Sequence, residues 1–217
     1  MSKEIYLLSP TPKEGTISLP MIDFTLLSQK VDVSGYDLLL FTSKQAVKSA
    51  EALNPSWKDI PCLAIGSATA RIIVACGGTV VYQPKTFYAS VLGEDIVERF
   101  KTKKILYLRP KVVSFDTKAF LAQSGIELDE KIIYETKCRS YSKEEKPKKN
   151  AIIIFTSPST IHGFFENFDW DESYTAVLIG EATRKHLPKN IQYSVADEAT
   201  IDGCIRKAKH LLTANRL

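Results

Sequence analysis

DLLLFTSKQAV, residues 37–47, decides the fold, because it returns as AIIIFTSPSTI at residues 151–161. In both copies a short, continuously apolar run ends in a Thr-Ser pair and passes into a helical pattern. LLLF and IIIF are too short for buried helices, and they lack the alternation of a half-exposed strand. Such runs suit parallel strands covered by helices on both faces. After the second Thr-Ser pair, Ile161, Phe164, Phe165 and Phe168 follow the i, i+3, i+4, i+7 spacing of one apolar helix stripe. Ala46, Val47, Ala50 and Leu53 repeat it more weakly after the first.

Outward from this pair the duplication extends. CLAIGSATA (62–70) recurs as AVLIGEATR (176–184). Phe41 and Phe155 lie 114 positions apart (155 − 41), and so do Gly66 and Gly180 (180 − 66). SVLGEDI from Ser90 matches TIDGCIR from Thr200, and EIYLLSP (4–10) matches KILYLRP (104–110). The chain therefore reads short unit, long unit, short unit, long unit. Each long unit is strand, TS turn, helix, strand, G-x-AT turn, helix, strand, and a helix begun by Ser or Thr. Gly77 and Gly78 end the helix that carries Ile72 and Ile73. Alternating strands and helices predict two similar doubly wound α/β domains with parallel sheets. Each short unit can complete the sheet of a neighbouring long unit. The residues alone leave open whether the first joins the last long unit or the domains follow in sequence. In the interleaved case, two crossings run side by side near 28–36 and 134–142. Little room lies between Pro12 and Leu26 for the helix expected at 117–123 in the second short unit.

Bulk properties exclude several classes. The chain has 217 residues, 44% of them hydrophobic, enough for one large core or two small domains. No apolar run is long enough to span a bilayer. The start, MSKEIYLLSPTP, lacks the apolar stretch and cleavage site of an export signal, so the expected location is cytoplasmic. Cys62, Cys76, Cys138 and Cys204 show no CxxC spacing, and His162, His186 and His210 show no paired arrangement. The expectation is four separate thiols, no metal and no cofactor. A net charge of +4 is too small for a dedicated nucleic-acid binder. SKEEKPKKN (142–150) mixes signs around Pro147 and reads as a solvated loop. No oligomer interface is evident, so a monomer is expected.

The repeated turns carry the candidate chemistry. Each ends a strand and opens a helix, where unpaired N–H groups and the positive end of the dipole favour anions. Thr42 and Ser43, and Thr156 and Ser157, supply hydroxyls at the TS turns, and Pro158 suits a first helical position. Gly66 and Gly180 allow tight turns and close ligand approach. Ser67 can cap its helix, Thr69 and Thr183 place hydroxyls in first turns, and Ser90 begins a later helix. Any one of these is equally an ordinary cap worth roughly 1 kcal/mol. The repeated set suits a ligand with several spread negative groups. Glu181 departs from it by placing an acid where the first copy has Ser67.

The ordered motifs FTSKQAV, AIGSATA, YLRP, IIYET, FTSPST and LIGEAT resemble those of the uroporphyrinogen-III synthases over nearly the full chain. That resemblance implies two α/β domains, the first discontinuous (1–30 with 138–217, around 31–137), joined by two strand-like crossings with a cleft between. It implies an enzyme, a cyclising hydro-lyase that uses no cofactor. Its substrate would be hydroxymethylbilane, four pyrroles bearing eight carboxylates. The reaction loses water, inverts the terminal ring and closes the macrocycle, in tetrapyrrole (haem) biosynthesis. Hydroxymethylbilane synthase, upstream, is the implied transient partner; neither nucleic acid nor membrane is. The family's strand tyrosine matches Tyr134, read either as a donor to the departing hydroxyl or as packing at a domain junction. Arg109 matches a position that often holds arginine, read either as a carboxylate ligand or as a surface ion pair. Two other classes fit parts of the pattern. A two-domain anion sensor would use the same turns without catalysis. A phosphosugar isomerase would need a Glu/His acid–base pair that the chain does not offer.

Overall fold

The computed structural model describes residues 3–86 and 89–214. In chain order the elements are β1 (Ile5–Leu7), β2 (Ile17–Ser18), β3 (Ile22–Leu26), β4 (Leu38–Phe41), α1 (Lys44–Leu53), β5 (Cys62–Ala64), α2 (Ser67–Ala75), β6 (Val80–Tyr82) and α3 (Ala89–Arg99). They continue with β7 (Ile105–Pro110), α4 (Thr117–Ala122), β8 (Leu128–Cys138), β9 (Ile152–Phe155), α5 (Pro158–Asn167), β10 (Thr175–Leu178), α6 (Glu181–Arg184), β11 (Tyr193–Val195) and α7 (Ile201–Ala214). Each strand–turn–helix step of the repeat is thus a strand followed by a helix.

The strands form two sheets, ordered β11-β10-β9-β1-β2 and β6-β5-β4-β7-β8-β3. The first is parallel throughout, and so are the pairings of β4, β5, β6, β7 and β8. Set side by side, the two orders superpose the repeats, with β1 beside β9 as β7 is beside β4. The first short unit therefore joins the last long unit, and the interleaved arrangement is the one adopted. The chain divides into two compact units, Met1–Asp23 with Lys137–Leu217, and Phe24–Thr136.

The passages between units differ in part from the expected ones. They lie on β3 and β8, which are neighbours; the first, at 23/24, precedes the expected 28–36, whereas the second, at 136/137, falls within the expected 134–142. The unit boundaries fall at 23/24 and 136/137 instead of 30/31 and 137/138. Leu27 N donates to Ile133 O and Arg139 N to Met21 O, so the two segments run in opposite directions. Residues 32–35 cannot continue the strand. Asp32 accepts hydrogen bonds from the Ser34 backbone N–H and hydroxyl at 2.9 and 2.7 Å, and Gly35 has φ +76°. These features make a local turn.

Strand residues alternate between two cores in each unit, as a period of two requires. In the discontinuous unit Ile153 and Phe155 join Ile161, Phe164 and Phe168 of the α5 segment, while Ile152 and Ile154 join Cys204, Ile205 and Ala208 of α7. In the other unit Leu39 and Phe41 pack with Ala46, Val47, Trp57 and Ile73, and Leu38 and Leu40 pack with Leu92, Ile96 and Leu121. Burying each large apolar side chain contributes roughly 1.5–3 kcal/mol. Nine residues (8–16) join β1 to β2 with no helix, whereas α4 lies between β7 and β8. A parallel crossover normally takes a dozen residues or more. β2 is accordingly only two residues long, and both are exposed. Among the described residues, no helix is long and apolar enough to cross a membrane.

Gly163 lets α5 lie against the chain entering β3. A Cβ at Gly163 would come within 2.8 Å of the Met21 carbonyl oxygen. Its repeat partner is Ser49 (163 − 114), which is buried and accommodates a side chain. Gly163→Ala should therefore lower stability by about 1–3 kcal/mol despite alanine's better helix propensity. A urea unfolding midpoint equal to wild type would show that the close approach is not a constraint.

Candidate functional site

Within unit Phe24–Thr136, numbering strands outward from the short-unit strand shows where the sheet reverses direction of winding. The chain leaves β4 toward β5 through α1 on one face, and leaves β7 toward β8 through α4 on the other. Loops that part in this way open a crevice at the carboxyl ends of the two strands. A recess of about 190 Å³ lies there, lined by Thr42 and Ser43 after β4, Tyr107 and Pro110 of β7, and Val112, Val113, Ser114, Phe115 and Thr117 on the way to α4, with Ile65 and Ala89.

Thr42, Ser43 and Tyr107 of this lining carry paired hydroxyls, the partner of Ser43 being Tyr134, which lies behind the lining. Thr42 Oγ1 lies 2.7 Å from the Tyr107 hydroxyl, and Ser43 Oγ lies 2.9 Å from the Tyr134 hydroxyl. Ser43 is also the N-cap of α1, accepting from Ala46 N at 3.0 Å. Tyr107 sits on the α3/α4 face of the sheet and Tyr134 on the α1/α2 face. The two phenols thus approach consecutive residues from opposite sides. Burial pushes the pKa of both upward, opposed at Tyr134 by its Ser43 hydrogen bond and at Tyr107 mainly by its Thr42 bond. Both remain protonated donors at neutral pH. Tyr134 is buried behind Ser43 and meets Phe24 edge-on at 5.8 Å, so it also packs where the chain enters the unit.

The other expected residues divide. The cap of α2 is Gly66, not Ser67, and no side chain completes it. Gly66 and Gly180 have φ −165° and −177°, extended values that any residue adopts, so a tight turn is not why glycine stands there. Ser67 is the first helical residue and lines a separate groove with Ala70, Arg71, Val74, Ala75, Val80 and Gln83. Thr69 and Thr183 are each only 4% exposed, which turns their hydroxyls inward. Ser90 is the second residue of α3 and half-buried, next to Ala89 at the recess. Arg109 is committed within the protein: its Nε lies 3.2 Å from Glu130 Oε1 in an ion pair without a directed hydrogen bond, and its Nη1 donates to Pro110 O at 3.1 Å.

In the discontinuous unit, the turn Thr156–Ser157 has the same backbone course but different bonding. Thr160 occupies the place of Ala46 (160 − 114). Its Oγ1 accepts from both Thr156 N and Ser157 N at 3.2 Å, while Ser157 Oγ accepts from Thr160 N at 3.3 Å. This capping box satisfies the Thr156, Ser157 and Thr160 amides inside the protein. The Gly180 turn opens α6, which is only four residues long and begins with Glu181. So short a helix has little dipole to offer an anion.

Sequence reading passed over Tyr107, Glu130 and Thr160. The Ser157-x-x-Thr160 spacing was a visible capping signal, whereas nothing in the sequence singles out Tyr107 from a buried strand tyrosine. His162 and His186, far apart in sequence, have ring centroids 5.3 Å apart. Among the described residues, no group of three or more His, Cys, Asp or Glu could hold a metal.

Comparison with known proteins gives a consistent answer. The family model described as Uroporphyrinogen-III synthase HemD matches residues 15–206. The crystal structure of uroporphyrinogen-III synthetase from Helicobacter pylori is 26% identical, with a TM-score of 0.80, covering 96% of this chain and 99% of that one. A mutant uroporphyrinogen III synthase from Thermus thermophilus, 13% identical over 99% of this chain and 100% of that one with a TM-score of 0.59, shares the fold. No curated protein matches the sequence. With some nine-tenths of its length matched by one family model and its fold shared with a solved member, the chain belongs to the uroporphyrinogen-III synthase family.

Proposed function

We infer that this protein closes hydroxymethylbilane to uroporphyrinogen III, with loss of water and inversion of the terminal pyrrole ring. The observation that carries the reading is the family match over residues 15–206. The reaction is that of a lyase. The C–O bond of the terminal hydroxymethyl group breaks, water leaves, and the resulting electrophilic carbon is attacked by the substituted carbon of the terminal ring, giving a spiro intermediate that reopens and closes inverted. Four thiols without close pairing suit a reducing compartment, so the reaction belongs in the cytosol, with hydroxymethylbilane synthase upstream as the source of substrate and a monomer as the working form.

The chain's own residues have two tasks, to hold a flexible polyanion and to favour one closure over another. Apolar walls at Ile65, Val113 and Phe115 suit a pyrrole face, and the start of α1 with Thr42 and Ser43 suits a carboxylate. A further carboxylate falls to the Ser157 hydroxyl, since its turn's amides are already bonded. Tyr134, held by Ser43 at 2.9 Å, donates to the departing hydroxyl. Selectivity makes modest demands. A hundredfold preference for the inverted product needs only about 2.7 kcal/mol of differential transition-state stabilisation. Orientation by several distributed contacts supplies that without one indispensable residue.

Incubating the protein with freshly made hydroxymethylbilane, then oxidising and resolving the products by isomer, tests the reading. The inverted isomer should dominate; only the uninverted macrocycle, formed at the spontaneous rate, would overturn it. Tyr134→Phe should slow turnover by about 10²-fold or more without abolishing it, since general-acid help is worth roughly 10²–10⁴. An unchanged kcat would remove Tyr134 from the reaction and leave it as packing. Ser43→Ala and Ser157→Ala should each cost about 1 kcal/mol of stability as lost caps. Ser43→Ala, which also strips the partner of Tyr134, should cost several times more activity; equal losses in kcat/KM would show that the two turns serve the substrate alike.

A further inference from the structure

We propose that Tyr107 is a positioning residue, which aims the Thr42 hydroxyl at a carboxylate of the pyrrole ring held in the recess. The inference rests on the reaction assigned above and deepens it by naming how one ring is gripped. Two hydroxyls 2.7 Å apart bring two protons, and their mutual hydrogen bond consumes one. Whichever group donates, one O–H remains for a third partner. Exposure decides which group presents it. Tyr107 is 2% exposed, on a central strand between β4 and β8, whereas Thr42 is half-buried at the mouth of the turn. In the proposed arrangement the neutral Tyr107 O–H donates to Thr42 Oγ1, one of the two directions open to this pair, and the Thr42 O–H points outward.

The surroundings fit a ring carrying an acid. Ile65, Pro110, Val112, Val113 and Phe115 wall the recess, and Val112 is 82% exposed, an apolar residue left at its rim. The first turn of α1 opens directly beside Thr42, where its amides favour negative charge. Ala46, unlike Thr160 in the other unit, brings no side-chain oxygen back to the Thr42 and Ser43 amides. Among the described residues the arrangement occurs once. In the aligned short unit KILYLRP matches EIYLLSP, so Tyr107 corresponds to Leu7, which is fully buried and has no hydroxyl. There is also no counterpart of α4 to carry the rim.

The test is steady-state kinetics with hydroxymethylbilane on wild type, Tyr107→Phe, Thr42→Val and the double variant, with urea midpoints measured alongside. Tyr107→Phe should raise KM about 5-fold and leave kcat within about 2-fold, the size of one weakened hydrogen bond to bound substrate. Thr42→Val should raise KM about 10-fold, and the double variant should be no worse than Thr42→Val alone, because the phenol acts only through the threonine. Thr42→Ser, which restores the hydroxyl, should recover most of the affinity lost in Thr42→Val. Tyr107→Phe with an unchanged KM would overturn the inference. So would a Tyr107→Phe effect of the same size with and without the Thr42 hydroxyl, or a Thr42→Ser no better than Thr42→Val. If wild type yields no inverted isomer, the assigned reaction fails instead, which keeps the two failures separate.

Discussion

Parallel pairing between a short-unit strand and the first strand of a long unit is the constraint from which the rest follows. β1 lies beside β9 with Ile5, Tyr6 and Leu7 opposite Ile152, Ile153 and Ile154, and β7 lies beside β4 with Leu38, Leu39 and Leu40 opposite Ile105, Leu106 and Tyr107. Once those pairs form, both ends of each short unit are fixed. Right-handed crossovers then carry the chain outward in opposite directions from the central pair. The parting of the loops after β4 and β7 is a consequence of that topology. So is the discontinuity of one unit, since β1 and β9 are separated in sequence by the whole of the other.

The duplicated scaffold does not give duplicated chemistry. One residue difference, Thr160 against Ala46, turns one TS turn into a closed capping box. Another, Leu7 against Tyr107, removes a phenol from beneath the equivalent threonine. A third, the nine residues joining β1 to β2 in place of the α4 crossover, removes the segment that would carry a recess wall. The first two changes leave the backbone course intact, because Thr160 and Ala46 are both third residues of their helices and Leu7 and Tyr107 both lie on strands paired in the same way.

The hydroxyl pairs also bear on how the site treats charge. Arg109 stands beside the recess but is held by Glu130 and by the Pro110 carbonyl oxygen, so the described lining of the recess carries no formal charge. A ligand in the recess would meet directed donors and a helix start rather than net positive potential. Such donors are oriented before the ligand arrives, which limits the entropy lost on binding and sharpens the geometry of closure.

Much of this was legible in the sequence. The constant 114-residue offset, the apolar runs and the helical stripes specify strands, helices and the duplication, because each depends on local periodicity. TS turns as helix starts, with Ser43 and Ser157 as caps, were equally local. Which short unit joins which sheet was implied by the family resemblance but not by the residue pattern itself, since that pairing depends on hydrogen bonds between segments over a hundred residues apart. Tertiary structure alone decided that the passages lie on β3 and β8, that Thr69 and Thr183 face inward, that Arg109 is taken by Glu130, and that Tyr107 and Tyr134 reach adjacent residues from opposite faces. A sequence records which groups a chain carries and how they repeat along it; which of them are consumed by each other, and which are left free for a ligand, is settled only when side chains on distant strands come within hydrogen-bonding reach.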